Sequence, residues 1–285
     1  MAEIYALCCL LFAALNDFVF KLFARKDRSR GLFVLICGII WIFCLMWGPL
    51  FNGMQNLKVT LIYGVISGIL SVLSNLLLIE AMGKQSAGVC STIYRLNMVI
   101  VVIAAILFLG EKVDGWQIAG ILSAVAAIIA FMPPGTKFAV KGNSAAMIGI
   151  YMVITASFLR ACMGISYKFA FQAGADPAGI PLVNGACWVI GGLIYALARE
   201  KTLTFTRKIA GYGILSGALI SGIVYFMALM LSVGPATITL SISQMSFIVT
   251  FVMSILFLKE KITKRTVFAA LLGVLAILCL TLFGK

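Results

Sequence analysis

The sequence predicts an all-α integral membrane protein, with ten transmembrane helices arranged as two inverted five-helix repeats. Three observations predict it. The first is composition: 63% of residues are hydrophobic and 11% charged, with a mean hydropathy of +1.14. A soluble domain of this length cannot hide so much apolar surface, so the bilayer is its solvent. The second is run length. Apolar runs of about 18 to 25 residues match the roughly 30 Å of hydrocarbon that a helix must cross, and the alternating ten-residue strands of a barrel do not occur. The third is repetition. Tyr63-Gly64-Val65-Ile66-Ser67-Gly68 and Leu107-Phe108-Leu109-Gly110-Glu111-Lys112 return as Tyr212-Gly213-Ile214-Leu215-Ser216-Gly217 and Leu256-Phe257-Leu258-Lys259-Glu260-Lys261, both 149 positions on (63 to 212 and 112 to 261). Two marks at one spacing define a duplicated unit, and an odd number of spans per unit turns the second one over.

The segments follow in order, at about residues 3–24, 31–52, 59–82, 87–109, 116–132, 145–172, 177–198, 210–232, 235–258 and 264–283. The first contains Asp17 and no clear cleavage site, so it reads as a retained helix rather than a signal peptide. Pro133-Pro134-Gly135 stops the fifth segment, because proline restrains its predecessor and glycine supplies the turn. The division is therefore a first repeat over 1–132, a linker over 133–144 and a second repeat over 145–285. The pairs Gly64/Gly68 and Gly213/Gly217 sit at matching places and predict close backbone approach between helices.

The formal net charge is +13. Most basic residues fall in the short loops after the odd-numbered segments, among them Arg25, Lys26, Arg28, Arg30, Lys84, Arg199, Arg207, Lys208 and Lys264. Only Lys58, Lys112 and Lys285 fall on the other side. This is orientation signalling rather than a nucleic-acid footprint, and it places both termini outside the cytoplasm. All eight cysteines lie in apolar runs without metal-ligand spacing, as small packing residues do. There is no histidine, which removes most zinc sites, Ser-His triads and histidine relays. No cofactor and no metal are expected.

An ionisable group in hydrocarbon costs at least about 2.5 kcal/mol and needs a reason. Arg95 lies eight residues into the fourth segment, with Ser91 one turn earlier on the same face, Tyr94 beside it and Asn97 facing nearly the other way. Arg160, Gly164 and Lys168 form a stripe on the sixth segment, flanked by Tyr167. Asp17 and Lys21, and Glu80 and Lys84, stand at i,i+4, where each acid can pair with its own lysine or serve as a gating or coupling site. The ninth segment is polar but uncharged, with Thr237, Ser241 and Gln244 on one face. At the 149 spacing Gln244 replaces Arg95 and Ser246 replaces Asn97, so the two halves present unequal chemistry.

Taken together, the five-plus-five duplication, the Leu-Gly-Glu-Lys and Leu-Lys-Glu-Lys ends, and Lys21 and Lys168 near the ends of the first and sixth segments resemble the drug/metabolite transporter superfamily, in its EamA-like ten-helix branch. The resemblance covers essentially the whole chain. It implies a central cavity lined by the first, third, fourth, sixth, eighth and ninth helices, and alternating access coupled to protons or to a counter-substrate. It also implies termini in the cytoplasm, against the loop charges. Asn16-Asp17 stands where members often have Trp-Gly, and Asn97 and Ser246 stand where they often have proline. Sugar-phosphate relatives grip phosphate with basic residues from the fourth and ninth helices; Arg95 matches that and Gln244 does not.

The resulting expectation is a secondary transporter for a small anionic or zwitterionic metabolite. Arg95 binds a carboxylate or phosphate through parallel hydrogen bonds, Arg160 and Lys168 add field, and Tyr94, Asn75, Ser241 and Gln244 complete recognition. Asp17, Lys21 and Glu80 are the coupling or gating residues. The rival expectation is proton-coupled efflux of lipophilic cations or drugs through Asp17 or Glu80. An enzyme is disfavoured, since no nucleophile–base set is present. The expected partners are the substrate, the bilayer and a proton or counter-substrate, with no nucleic acid. The expected state is a monomer or homodimer in a bacterial inner membrane.

Overall fold

The structure, a computed structural model, describes residues 1–48, 53–101, 103, 114–131, 144–200, 205–233, 242–260 and 263–279. The described residues are helical, with no strand among them: α1 (Ala2–Ala24), α2 (Arg30–Leu45), α3 (Leu57–Lys84), α4 (Ala87–Arg95), α5 (Gly115–Phe131), α6 (Ser144–Gln172), α7 (Gly179–Tyr195), α8 (Arg207–Val233), α9 (Ser246–Leu258) and α10 (Lys264–Leu278). A π-helical turn, Ala196–Glu200, extends α7. Five stretches have the length and apolarity to cross a membrane: Ala2–Ala24, Leu57–Lys84, Ala145–Gln172, Gly179–Glu200 and Arg207–Met230. The others are shorter. α2, α4 and α9 each run towards residues outside the described set, and residues 133–143 of the expected linker and the Glu111-Lys112 end of the repeated motif lie outside it.

Helix starts are set by side chains that satisfy exposed N–H groups. Ser29 accepts from Leu32 N–H at 3.2 Å to open α2, and Ser86 from Val89 N–H at 3.3 Å to open α4. Asp176 opens α7, accepting from Ala178 and Gly179 N–H at 2.8 and 2.7 Å, and it also takes the N–H of Gln55 at 3.1 Å from the loop before α3. Burial pulls the Asp176 carboxyl upward, but the three N–H donors outweigh it and hold it below the usual carboxylate range.

Burial is inverted relative to a soluble protein. Leu122, Ile129, Leu256, Phe257, Phe268 and Leu271 are more than half exposed. Asp17, Asn75, Asn97, Asn184, Ser67, Ser71 and Ser216 are buried. Only a hydrocarbon solvent makes that arrangement favourable. The apolar core runs along α1, α2, α3, α4, α6 and α7, with Phe23 stacked on Phe33 at 4.1 Å and Trp41 edge-on to Trp188 at 5.5 Å. All eight cysteines are free thiols; Cys44 is exposed and the rest are buried or half-buried.

α3 packs on α6 and α7, while α8 packs on α1 and α2; α2 meets α7, and α5 meets α10. The paired glycines make these approaches. A Cβ on Gly68 would lie 2.5 Å from Cys187 Sγ on α7, and one on Gly217 would lie 2.7 Å from Ile40 Cβ on α2. Gly64 and Gly213 are closed off in the same way by Val183 and Ile36. The close approach expected of both pairs is formed, each against the second helix of the other half.

Candidate functional site

A cavity of about 330 Å³ lies inside the helix array, lined from α1, α2, α3, α4, α6, α7 and α8, with Gln244 from the turn that leads into α9. That is large enough for a small organic solute. The cavity gathers Asp17, Asn75, Tyr94, Arg95, Arg160 and Gln244. Ser241 lies outside the described residues.

Asp17 is the only carboxylate among the described lining residues, and its side chain is 4% exposed. Its Oδ2 accepts from Ser91 Oγ at 2.6 Å and from Arg95 Nη2 at 3.3 Å. The Arg95 guanidinium also lies 5.9 Å from the Tyr94 ring centroid. Arg95 is therefore already charge-paired, and Asp17 pairs across helices rather than with Lys21. Arg160 differs. Its Nη1 reaches the Met163 thioether at 3.4 Å, and no carboxylate among the described residues lies within ion-pair distance of it.

The remaining wall is aromatic and amide. Trp188 Nε1 donates to Ser71 Oγ at 3.0 Å, and Asn75 Nδ2 donates to the Ser71 carbonyl at 2.9 Å. Ser74 Oγ donates to the Ala156 carbonyl at 2.7 Å and lies 3.2 Å from Tyr94 Oη. Asn184 Nδ2 donates to Tyr167 Oη. Among the described residues, Trp41 Nε1, Arg95 Nε and Gln244 Oε1 are buried without a hydrogen-bond partner.

Three expected residues stand elsewhere. Lys168 is exposed and does not line the cavity. Successive steps of four drift round a helix, so position 168 is turned about 80° from Arg160, whereas position 167 is turned only about 20°. Tyr167 takes the place on the wall. Lys21 sits one turn beyond Asp17, where its Nζ donates to the carbonyls of Met82 and Gln85 at 2.8 and 2.6 Å and lies 3.4 Å from Glu260 Oε1. Glu260 also accepts from Ala87 N–H, the first of α4. Glu80 pairs with Arg30 at 3.1 Å and accepts from Tyr195 Oη at 2.7 Å, rather than pairing with Lys84.

Sequence reasoning missed Trp41 and Trp188. Gly38-Ile39-Ile40-Trp41 and Gly185-Ala186-Cys187-Trp188 repeat at a spacing of 147 rather than 149, which was the available signal. It also turned Asn97 away from the cavity. α4 breaks at Leu96 (φ −70°, ψ 4°), and Val99 N–H bonds the Leu96 carbonyl at 3.0 Å in a tighter turn. The break brings Asn97 onto the wall. Met245, 149 residues on, has φ −70°, ψ 1° and the same tight turn to Ile248 at 2.9 Å.

Outward apolar side chains around a central cavity of polar groups, held on long apolar helices, define a multi-pass integral membrane protein. The chain belongs to the EamA-like transporter family, whose model matches residues 1–132 and again 147–282. It is thus a membrane transporter of the drug/metabolite type, from a family of transporters rather than enzymes. A crystal structure of another protein covers 99% of this chain and 96% of its own, with a TM-score of 0.65 and 11% sequence identity. At that identity the likeness is one of fold. No curated protein sequence matches the chain.

Proposed function

We propose that this protein is a secondary transporter that moves a small anionic or zwitterionic metabolite by alternating access. It would span the membrane ten times, as two inverted five-helix repeats over 1–132 and 145–285 joined through 133–144. The twofold match of the family model supports the duplication. The observation that carries the substrate reading is Arg160, a guanidinium in the cavity wall with no carboxylate partner among the described residues. A half-buried guanidinium without a counter-charge favours an anionic ligand, which it can hold by charge-assisted hydrogen bonds. Arg160 therefore takes the anionic group first, and Arg95 stands behind it with Asp17 as counter-ion.

An asymmetry supports alternating access. At one end Lys21 and Glu260 tie together α1, α3, α4 and α9. Among the described residues α1 packs on α3, while α6 and α8, their counterparts in the second repeat, pack on each other less. Alternating access requires that a tie of this kind release as the cavity opens at that end. The cation-efflux alternative loses ground, since Asp17 is held by Arg95 and Glu80 by Arg30.

Ligand-induced thermal stabilisation of the detergent-purified protein tests this reading, with a panel of amino acids, carboxylates, sugar phosphates and lipophilic cations. A ligand of the folded state at a hundred times its dissociation constant stabilises by about 2.7 kcal/mol. The expected result is stabilisation by one anion class that is lost in Arg160→Gln. Stabilisation by cations alone, unchanged in that variant, would overturn it.

A further inference from the structure

The cavity's charges fix more than the sign of the cargo. Its described charged residues are Asp17, Arg95 and Arg160. Residues 102–110 and 234–241, which in the sequence follow α4 and precede α9, contain no charged side chain. Two guanidiniums against one carboxylate leave a single positive charge. Resting on the transport reading above, we propose that the cavity selects cargo by net charge: it takes an organic monoanion, and Asp17 is the residue that excludes dianions.

The geometry gives Asp17 that role. It is 3% exposed and held by Ser91 at 2.6 Å, so it stays on Arg95 rather than turning to solvent. It thereby cancels the second guanidinium at its source. A monoanion at Arg160 brings the site to neutrality. A dianion would leave one negative charge unmatched in a low-dielectric wall, and specificity of this kind needs such a repulsive element beside the attractive one. The unpartnered atoms extend the description. Among the described residues, Trp41 Nε1 and Arg95 Nε are donors without acceptors, and Gln244 Oε1 is an acceptor without a donor. A monoanion that also carries a carbonyl or ether oxygen and a hydroxyl or amide N–H would meet all three.

The test reads the field of the cavity and needs no knowledge of the cargo. Trp41 and Trp188 line the cavity, while Trp47 and Trp116 are about half exposed on the outer surface. In a Trp47→Phe/Trp116→Phe background, fluorescence reports from the cavity alone. Iodide, caesium and neutral acrylamide serve as quenchers at constant ionic strength. Iodide quenching should exceed caesium quenching and follow net charge: strongest in Asp17→Asn, lower in the parent and in Asp17→Asn/Arg95→Gln, lowest in Arg160→Gln. Each unit of charge should change it about fivefold, the Boltzmann weight of roughly 1 kcal/mol. Sulfate should suppress iodide quenching in Asp17→Asn and not in the parent. If Asp17→Asn alone fails to fold, the double variant and Arg160→Gln still differ by one unit of charge, and equal iodide quenching in those two would overturn the proposal. Acrylamide quenching with no dependence of iodide on this charge series would overturn charge selection and leave transport standing. Thermal stabilisation by no anion, with iodide quenching following the charge series, would overturn the transport reading and leave the charge of the cavity standing.

Discussion

Glu260→Gln should loosen one end of the cavity without unfolding the protein. Lys21 Nζ lies 3.4 Å from Glu260 Oε1, and the two side chains are 11% and 16% exposed. At that distance and an effective dielectric of about 20, the direct attraction is about 5 kcal/mol. Desolvation takes back a large part of that. Lys21 also keeps its carbonyl bonds to Met82 and Gln85, and a glutamine oxygen still accepts from Ala87 N–H. The net loss is therefore about 2 kcal/mol, a shift of about thirtyfold in the balance between closed and open forms of this end. Cys90 is the reporter. It is fully buried, three residues into the helix that Glu260 caps. With the other seven cysteines replaced, maleimide labelling of Cys90 should accelerate by about that factor in Glu260→Gln, while the melting temperature falls by only about 3 to 6 °C. A fall in melting temperature with an unchanged labelling rate would show that the pair only stabilises the fold and does not latch the end.

Two other consequences concern packing and pH. Gly68→Ala places a methyl 2.5 Å from Cys187 Sγ and should lower thermal stability by about 1 to 3 kcal/mol, whereas Gly211→Ala, with nothing within 4 Å, should leave it unchanged or raise it by up to about 1 kcal/mol. Equal effects in the melting curves would refute the close-approach reading of the paired glycines. Asp176 has a folded-state carboxyl below its ordinary value of 3.8. Its contribution to stability is full above that value and is lost as pH falls from there through the lower folded value. The stability advantage of wild type over Asp176→Asn should therefore hold at neutral pH and shrink below about pH 4.

The parts of the fold written in local pattern were legible in the amino-acid order itself. Long apolar runs gave the long helices, and the Tyr-Gly-x-x-Ser-Gly repeat gave the two close helix contacts at Gly68 and Gly217. The ionic pairs were not legible, because spacing along one helix says nothing about a neighbour. Asp17 has Lys21 four residues away but meets Arg95 and Ser91 on α4, and Lys21 meets Glu260 from the other repeat. Within a membrane, a pair between helices satisfies both partners inside the bundle, while a pair along one helix need not face inward at all. The tryptophans escaped because the repeat has two spacings. Positions 41 and 188 are 147 apart and positions 63 and 212 are 149 apart, so two extra residues enter between α7 and α8.

The break in α4 explains why Asn97 faces the cavity. A helix interrupted at membrane depth frees backbone groups that lipid cannot satisfy, so the surrounding side chains must do it. At Leu96 the freed acceptor is the Tyr94 carbonyl. It takes Asn97 Nδ2 at 2.8 Å and Ser157 Oγ at 3.4 Å from α6. Asn97 thus stabilises the turn that presents it, which is why a straight-helix projection placed it on the wrong face. The same break at Met245 has Ser246 where α4 has Asn97, and the Ser246 hydroxyl is buried without a partner among the described residues. A serine is too short to reach back across the turn as the asparagine does. The two breaks share a position and differ in the side chain that follows them. Gln244, with its own unpartnered oxygen, sits directly before it. Gln244 stands 149 positions after Arg95, so at this place on the wall the second repeat offers the cargo an amide where the first offers a guanidinium.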